Sequence, residues 1–347
     1  MKKFILSVLT YFLISSVSFA KEPINIAYTI DNNYVIPTII SIDSIITTSK
    51  SDTKYNFYIV ESGLTNHSKN LMRNHITKNN HNVEFIPVDT DKITKGVSLY
   101  KYLTPIAIAR VVIPEILPNV DRIIYLDGDT LITGDLSKLY NSDLGSKTTG
   151  MVKDIDEDLC LNKFDFVEFK NGYYNSGMIL MDAKKWREQN LSQNIVNTLH
   201  KNLEKYQKTQ FADQIIISEV LASGIKPLHK RWNNQCYSTI CITDFDMKNG
   251  GIYHYILDKP WNKLVDLEQT PLNLTYINYW KNSEFKNYIY YYLWKVVIKA
   301  HKSRNSLDVI KLKYTRYFEV LKKNKKFPEF PVAEWDYIMN NRNVTVL

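Results

Sequence analysis

The segment that most constrains the fold is residues 123–129, Ile-Ile-Tyr-Leu-Asp-Gly-Asp, where a short apolar run ends in two carboxylates separated by a glycine. An apolar run of this length followed by turn residues is typical of a buried strand in an α/β sheet. Ligands of such sheets bind beyond the carboxyl ends of the strands, where we expect Asp127 and Asp129 to lie. Two carboxylates this close repel each other, so the pair indicates a divalent cation or a shared proton. A polar turn with no binding role is the alternative, because Asp and Gly also favour turns.

Apolar runs alternate with helical patterns along most of the chain. Strands are predicted at residues 24–29, 55–60, 83–88, 123–126, 150–153 and 178–181. Helices are predicted at residues 35–49, 65–79, 103–113, 184–206 and 211–222, the third ended by Pro114. This alternation predicts a largely parallel sheet with right-handed crossovers. We expect one α/β domain over residues 22–270 and a separate segment over residues 271–347.

Residues 1–20 have the layout of a secretory signal. Lys2 and Lys3 precede an apolar stretch, which ends in the small-x-small sequence Ser18-Phe19-Ala20. An uncleaved signal anchor is the alternative, because the stretch is near the lower length limit for a membrane span. We therefore expect a protein that is exported to a periplasm or lumen, secreted, or anchored in a membrane. Attachment to the inner membrane facing the cytoplasm remains a further alternative.

The basic charge of the chain is concentrated at its C-terminal end. The net charge is +8, and residues 275–347 carry 14 Lys and Arg against 6 Asp and Glu, so the rest of the chain is balanced. Basic side chains interleaved with Trp and Tyr suit an anionic lipid surface. The alternative is a helical appendage that packs its aromatic side chains on the main domain. No nucleic-acid motif is present, and the 3 cysteines lack zinc-ligand spacing, so we expect neither a nucleic-acid partner nor a zinc site.

Several polar groups follow predicted strands or begin predicted helices, and such loops converge at one edge of a parallel sheet. Residues 109–129, together with Tyr174-Asn175-Ser176-Gly177 and residues 182–186, resemble in order and spacing the motifs of family 8 glycosyltransferases. The resemblance extends from about Ile24 to Trp261. It implies the GT-A fold, a Rossmann-like α/β domain with a mostly parallel mixed sheet, here followed by a basic, aromatic, helical appendage.

The resemblance also implies an activity. Members of the family are retaining transferases that move a hexose from a UDP-sugar, which here would be UDP-galactose or UDP-glucose, to a glycan or glycolipid. Within the family, the chain resembles the bacterial galactosyl- and glucosyltransferases of lipopolysaccharide biosynthesis. Retention in the family is commonly explained by a front-face route, in which the departing phosphate helps to deprotonate the acceptor hydroxyl. Catalysis would then come mainly from metal electrostatics and positioning.

Roles for individual residues follow from the same resemblance. Asp127, Asp129 and His254 would hold Mn²⁺ or Mg²⁺, since manganese accepts carboxylate, imidazole and phosphate ligands together. The expected donor-binding residues are Asp31, Asn33, Tyr34, Arg110, Asp127, Gly128, Asp129, Asn175, Ser176 and Lys259. The expected catalytic positions are Asp154, Asp213 and Gln214, with Gln214 near the reactive face of the anomeric carbon.

Structural explanations remain open for four of these residues. Tyr34 could be a core aromatic, Arg110 could bridge a carboxylate, Asp213 could be a helix N-terminal charge, and His254 could be a packed histidine. The segment between His254 and Lys259 is also one residue shorter than the family pattern and lacks its glycine. Two other functions compete: a phosphatase of the haloacid dehalogenase type, which also uses Asp-x-Asp after a strand, and a degenerate, non-catalytic glycan-binding protein.

Overall fold

The computed structural model describes residues 22–94, 105–155, 172–202, 212–236, 250–256, 259–261 and 271–288. The strands are β1 (Ile24–Asp31), β2 (Tyr55–Ser62), β3 (Asn82–Pro87), β4 (Arg122–Leu126), β5 (Thr130–Ile132), β6 (Thr149–Lys153), β7 (Tyr174–Asp182), β8 (Ile225–Pro227), β9 (Asn234–Cys236) and β10 (Ile252–Tyr255). The helices are α1 (Val35–Thr48), α2 (Asn66–Lys78), α3 (Thr90–Thr94), α4 (Pro105–Ile108), α5 (Ile113–Ile116), α6 (Ser137–Tyr140), α7 (Ala183–Glu188), α8 (Leu191–Lys201), α9 (Ala212–Leu221) and α10 (Pro271–Asn282). The predicted signal and most of the basic segment lie outside the described residues.

Seven strands form the main sheet, in the order β3-β2-β1-β4-β7-β6-β8. All neighbouring strands are parallel except β7, which is antiparallel to β4 and to β6. The expected mostly parallel mixed sheet is therefore confirmed. A second sheet contains β5, β10 and β9. Because β7 runs against β4, the first residues of β7 lie at the edge of the sheet where β4 ends.

Hydrophobic cores cover both faces of the main sheet. Alternate residues of β4 point to opposite faces, so Ile124 and Leu126 belong to one core and Ile123 and Tyr125 belong to the other. The first core includes the buried face of α1, and the second includes α8 and α9. This two-sided burial explains why the strand before Asp127 is continuously apolar.

Two helix predictions were wrong. The helix predicted at residues 103–113 is, from Pro105 onward, the short α4, a 3-10 turn and α5. Pro114 lies at the start of α5, where its missing N–H breaks no helical hydrogen bond, so it does not end a helix. The helix predicted at residues 184–206 is divided into α7 and α8 by Asn190, which is left-handed with φ 52°.

The described part of the C-terminal segment packs on the main domain. The Tyr276 ring of α10 meets Tyr255 edge to face and lies tilted against Trp261, with ring centroids 5.0 and 4.9 Å away. Tyr279 donates a hydrogen bond to Asp43 of α1 at 2.9 Å. These contacts agree with the alternative in which the aromatic side chains of this segment cover the domain. In the part of the chain that the structure describes, none of the helices combines the length and the apolar character needed to cross a membrane.

Candidate functional site

Backbone pairing assembles the site at the edge where β4 ends. The N–H of Asp127 donates to the carbonyl of Gly177 in β7 at 2.8 Å. The N–H of Tyr255 in β10 donates to the carbonyl of Asp129 at 3.0 Å, and His254 pairs with Thr130 of β5. The two sheets therefore bring His254, which is distant in sequence, beside the Asp127-Gly128-Asp129 turn.

Asp127, Asp129 and His254 form a compact group whose ligand atoms all lie within 4.8 Å of one another. Nε2 of His254 is 3.2 Å from Oδ1 of Asp129 and 3.7 Å from Oδ2 of Asp127. Although Nε2 is within ion-pair distance, the buried Oδ1 of Asp129 accepts no hydrogen bond of acceptable geometry. Two carboxylates and an imidazole this close together, with one buried carboxylate oxygen left without a hydrogen bond, fit a divalent cation. We expect Asp127, Asp129 and His254 to be its ligands.

Lys259 also reaches this group. Its Nζ lies 2.5 Å from Oδ2 of Asp129 and donates a hydrogen bond to the carbonyl of Tyr255. Burial alone would raise the pKa of the Asp129 carboxyl, but the positive charge of Lys259 holds this pKa below its ordinary value. Asp129 is therefore ionised, which is the state that a metal ligand requires.

Arg110 is buried beside the carboxylate turn. Its guanidinium donates to the backbone carbonyl and the hydroxyl of Ser176 at 2.9 and 3.0 Å. It also lies 3.3 Å from Asp127 and 3.4 Å from Asp213. Burial opposes the charge of Arg110, yet Asp127 and Asp213 hold the pKa of the guanidinium above its usual range. Arg110 thus bridges two carboxylates, which is the structural role that the sequence left open for it. It also lines the cavity described below.

Asp154, Asn175 and Gln214 form a second polar group. Nδ2 of Asn175 donates to Asp154 and to Oε1 of Gln214, both at 3.1 Å, and Nε2 of Gln214 donates to the same oxygen of Asp154 at 2.8 Å. Asp213, the residue before Gln214, lies in the first turn of α9, and burial raises the pKa of its carboxyl. Neutral amides that surround a carboxylate in this way can bind the hydroxyl groups of a sugar.

A cavity of about 190 Å³ opens beside both carboxylates of the turn. It is lined by Thr29, Ile30, Asp31, Tyr34, Ile106, Ala107, Arg110, Asp127, Gly128 and Asp129. Gly128 is required by packing, because a Cβ there would lie 2.4 Å from Oγ1 of Thr38. Asn33 is exposed and does not line the cavity. Its N–H and side chain donate to the carboxylate of Asp31, which holds the loop in shape.

The structure thus brings thirteen of the fourteen predicted site residues to this edge, and Asn33, the fourteenth, is hydrogen-bonded to Asp31. Three other residues were not predicted. Tyr125 donates to Asp127 at 2.5 Å, Asn233 contacts His254 at 3.0 Å, and Gln235 binds the backbone on both sides of Asp154. In the sequence Tyr125 resembles an ordinary core aromatic residue, and Asn233 and Gln235 belong to a polar run in an Asn-rich chain. No signal in the single sequence distinguishes them.

Comparison with known proteins gives a family and a fold. A family model described as Glycosyl transferase family 8 matches residues 25–265. General stress protein A of Bacillus subtilis is 25% identical over 233 residues, which are 63% of this chain and 80% of the relative. A lipopolysaccharide 1,2-glucosyltransferase of Escherichia coli is 24% identical over 287 residues, 77% of this chain and 82% of the relative.

Among solved structures, the galactosyltransferase LgtC in complex with donor and acceptor sugar analogs has a TM-score of 0.61 at 20% identity. The match covers 74% of this chain and 95% of that chain. At this identity the likeness shows the fold, and the GT-A fold expected from the sequence is confirmed.

Proposed function

The chain belongs to glycosyl transferase family 8, and on this premise we propose that it transfers galactose or glucose from a UDP-sugar to a glycan or glycolipid acceptor in a reaction that requires a divalent metal ion. The observation that carries the proposal is the group formed by Asp127, Asp129 and His254 next to the cavity. When bound, Mn²⁺ or Mg²⁺ would supply Lewis-acid stabilisation of the negative charge on the departing diphosphate.

The nucleotide end of the proposed site is the cavity beside Asp31 and Tyr34. The Tyr34 ring borders it and offers a flat surface for a base, while Asp31 offers acceptors for the N–H or hydroxyl groups of uridine. Lys259, close to Asp129, supplies a point charge suited to a phosphate. Retention of configuration by the front-face route is part of the proposal.

The sugar end is proposed to be the group of Asp154, Asn175 and Gln214. Their hydrogen bonds to one another fix the direction of each polar atom before a ligand binds, which lowers the cost of orienting the hexose. Arg110 holds Ser176 and Asp213 at the boundary between this group and the carboxylate turn.

UDP release from a panel of UDP-sugars tests the proposal on the purified full chain. We expect hydrolysis with Mn²⁺ that is abolished by a chelator and restored by added Mn²⁺. The Asp129→Asn variant should lose at least 100-fold in rate, since it removes a charged ligand. Asp143→Asn is the matched control, because Asp143 lies away from the cavity and its only described side-chain role is to accept a bond from Gly145.

The same assay separates the competing functions. A glycan-binding protein without activity would bind UDP-sugars or glycans but release no UDP. A haloacid-dehalogenase-type phosphatase would release inorganic phosphate, but the family match and the position of Asp127 after the fourth described strand count against it. Metal-independent release of UDP would contradict the metal site.

Two further proposals concern the place of action. The relationship to a lipopolysaccharide glucosyltransferase supports a glycolipid acceptor and thus a membrane-associated enzyme. We propose that residues 1–20 anchor the protein or direct its export, and that the basic residues of 271–347 contact anionic lipid. A soluble product that begins at Lys21 would contradict anchoring, and co-sedimentation with vesicles that is independent of anionic lipid would contradict the lipid contact.

A further inference from the structure

Asn233 connects the two polar groups of the site. It ends the 3-10 turn Lys230–Asn233 directly before β9, and it is only 1% exposed. Its Oδ1 is 3.0 Å from Nδ1 of His254, and its Nδ2 donates to Oδ1 of Asn175 at 2.8 Å. One buried amide therefore contacts both the imidazole and the sugar-end asparagine.

The donor and the acceptor of each hydrogen bond that links Asn175, Asn233 and His254 follow from one backbone N–H, which can only donate. The backbone N–H of Gly177 donates to Oδ1 of Asn175 at 3.0 Å, so this oxygen is the acceptor end of the Asn175 amide. Asn233 must then turn its Nδ2 toward Asn175, which leaves its Oδ1 facing His254. Because Oδ1 can only accept, Nδ1 of His254 must carry a hydrogen.

The consequence for His254 concerns its other nitrogen. A neutral imidazole with hydrogen on Nδ1 has its lone pair on Nε2, and Nε2 is the atom that faces Asp129 and Asp127 at 3.2 and 3.7 Å. We propose that Asn233 is a positioning residue that holds His254 in the Nδ1–H tautomer, with Nε2 directed at a divalent cation, and that joins this ring to the sugar end of the site. This inference rests on the proposed metal-dependent function.

The two halves of the Asn233 amide should have separable effects. The Oδ1 half sets the tautomer and orientation of the His254 ring, and groups in this position typically contribute 10- to 100-fold to metal affinity. The Nδ2 half fixes Asn175, whose own Nδ2 binds Asp154 and Gln214. Loss of the first half should therefore weaken metal binding, while loss of the second should weaken binding of the donor sugar.

Two substitutions separate these halves. Asn233→Asp keeps an oxygen that accepts from Nδ1 of His254 but removes the donor to Asn175. Asn233→Leu has similar size and removes both bonds. We expect the affinity for Mn²⁺, measured by the EPR signal of the free ion without nucleotide, to fall about 10- to 100-fold in Asn233→Leu. In Asn233→Asp we expect Mn²⁺ affinity within about threefold of wild type, with a KM for the UDP-hexose about tenfold higher.

The matched control is Asn234→Leu, which changes the next buried asparagine in β9 and should leave Mn²⁺ affinity unchanged. Wild-type Mn²⁺ affinity in a folded Asn233→Leu variant, or equal losses in the Asp and Leu variants, would overturn the positioning role. If wild type binds no Mn²⁺, the proposed function itself fails and this inference fails with it.

A measurement on the wild-type protein needs no variant to fold. Long-range ¹H–¹⁵N NMR spectra of the chain labelled at histidine, recorded with excess diamagnetic Mg²⁺, report which ring nitrogen of His254 carries hydrogen. We expect hydrogen on Nδ1 and none on Nε2, with the His254 signal assigned by its loss in His254→Gln. Hydrogen on Nε2 alone would overturn the proposal.

Discussion

Replacing Gly177 by alanine should damage the proposed metal site through a single methyl group. Gly177 lies in β7, and a Cβ there would be 2.1 Å from Cε1 and 2.6 Å from Nδ1 of His254. Carbon atoms in contact are about 3.5 Å apart, so the ring must move by about 1.4 Å. His254 is 4% exposed and bonded to Asn233, so a shift of the ring breaks that bond as well.

The magnitude follows from the tolerance of metal coordination. Ligand distances in metal sites vary by about 0.2 Å, so a displacement of about 1.4 Å removes His254 from the ligand set. We expect Mn²⁺ affinity to fall at least 100-fold, more than for loss of a group that only supports a ligand. The added methyl should also lower the free energy of unfolding by about 1–3 kcal/mol, as overpacking of a core usually does.

Gly150→Ala provides a control for the cost in stability. Gly150 lies in the neighbouring strand β6, and a Cβ there would meet the ends of Leu228 and Leu144 at 2.9 and 3.1 Å. These side chains can move, so we expect a similar or smaller loss of stability and normal Mn²⁺ affinity. Urea denaturation and EPR titration of Mn²⁺ measure the two quantities on each variant. Normal Mn²⁺ affinity in a folded Gly177→Ala variant would refute the reasoning.

Three other substitutions test the remaining parts of the structure. In Arg110→Lys the ammonium cannot satisfy the carboxylates and carbonyls that the buried guanidinium contacts, so the free energy of unfolding should fall by about 3 kcal/mol. Urea denaturation measures this loss, and an unchanged midpoint would contradict it. Tyr125→Phe removes the donor that orients Asp127, so kcat/KM should fall about tenfold, while unfolding loses at most about 1.5 kcal/mol. Tyr276→Ala should cost about 3 kcal/mol of unfolding free energy by emptying the contact with Tyr255 and Trp261, and an unaltered urea curve would show that α10 does not contribute to folding.

The parts of the site that the sequence predicts are those marked by local pattern. An apolar strand that ends in two carboxylates indicates a ligand site, because strand ends in α/β sheets share one edge. His254 has no such local mark, and only the order of motifs shared with a family connects it to Asp127 and Asp129. The structure supplies the physical reason, which is the antiparallel pairing of β10 with β5.

The parts that could not be predicted depend on long-range contacts. Asn233 contacts His254, which β9–β10 pairing brings close, and Asn175, which lies in β7. Both partners are distant in sequence, so the residues around position 233 do not indicate them. The break at Asn190 is similar, because the amphipathic pattern continues across it. There the turn is stabilised by Ser192, which accepts from Trp186 and donates to the carbonyl of Val111 in the buried layer.

The shortened segment between His254 and Lys259 is anchored at both ends, which limits what its length can change. At the His254 end the chain is fixed by β10, because the N–H of Tyr255 donates to the carbonyl of Asp129. After Lys259 the chain is fixed by Trp261, which is 3% exposed and packs against the Tyr276 ring. Between these anchors Nζ of Lys259 still reaches Asp129. Although the segment is one residue shorter than the family pattern and lacks its glycine, the imidazole and the ammonium both lie beside the carboxylate turn.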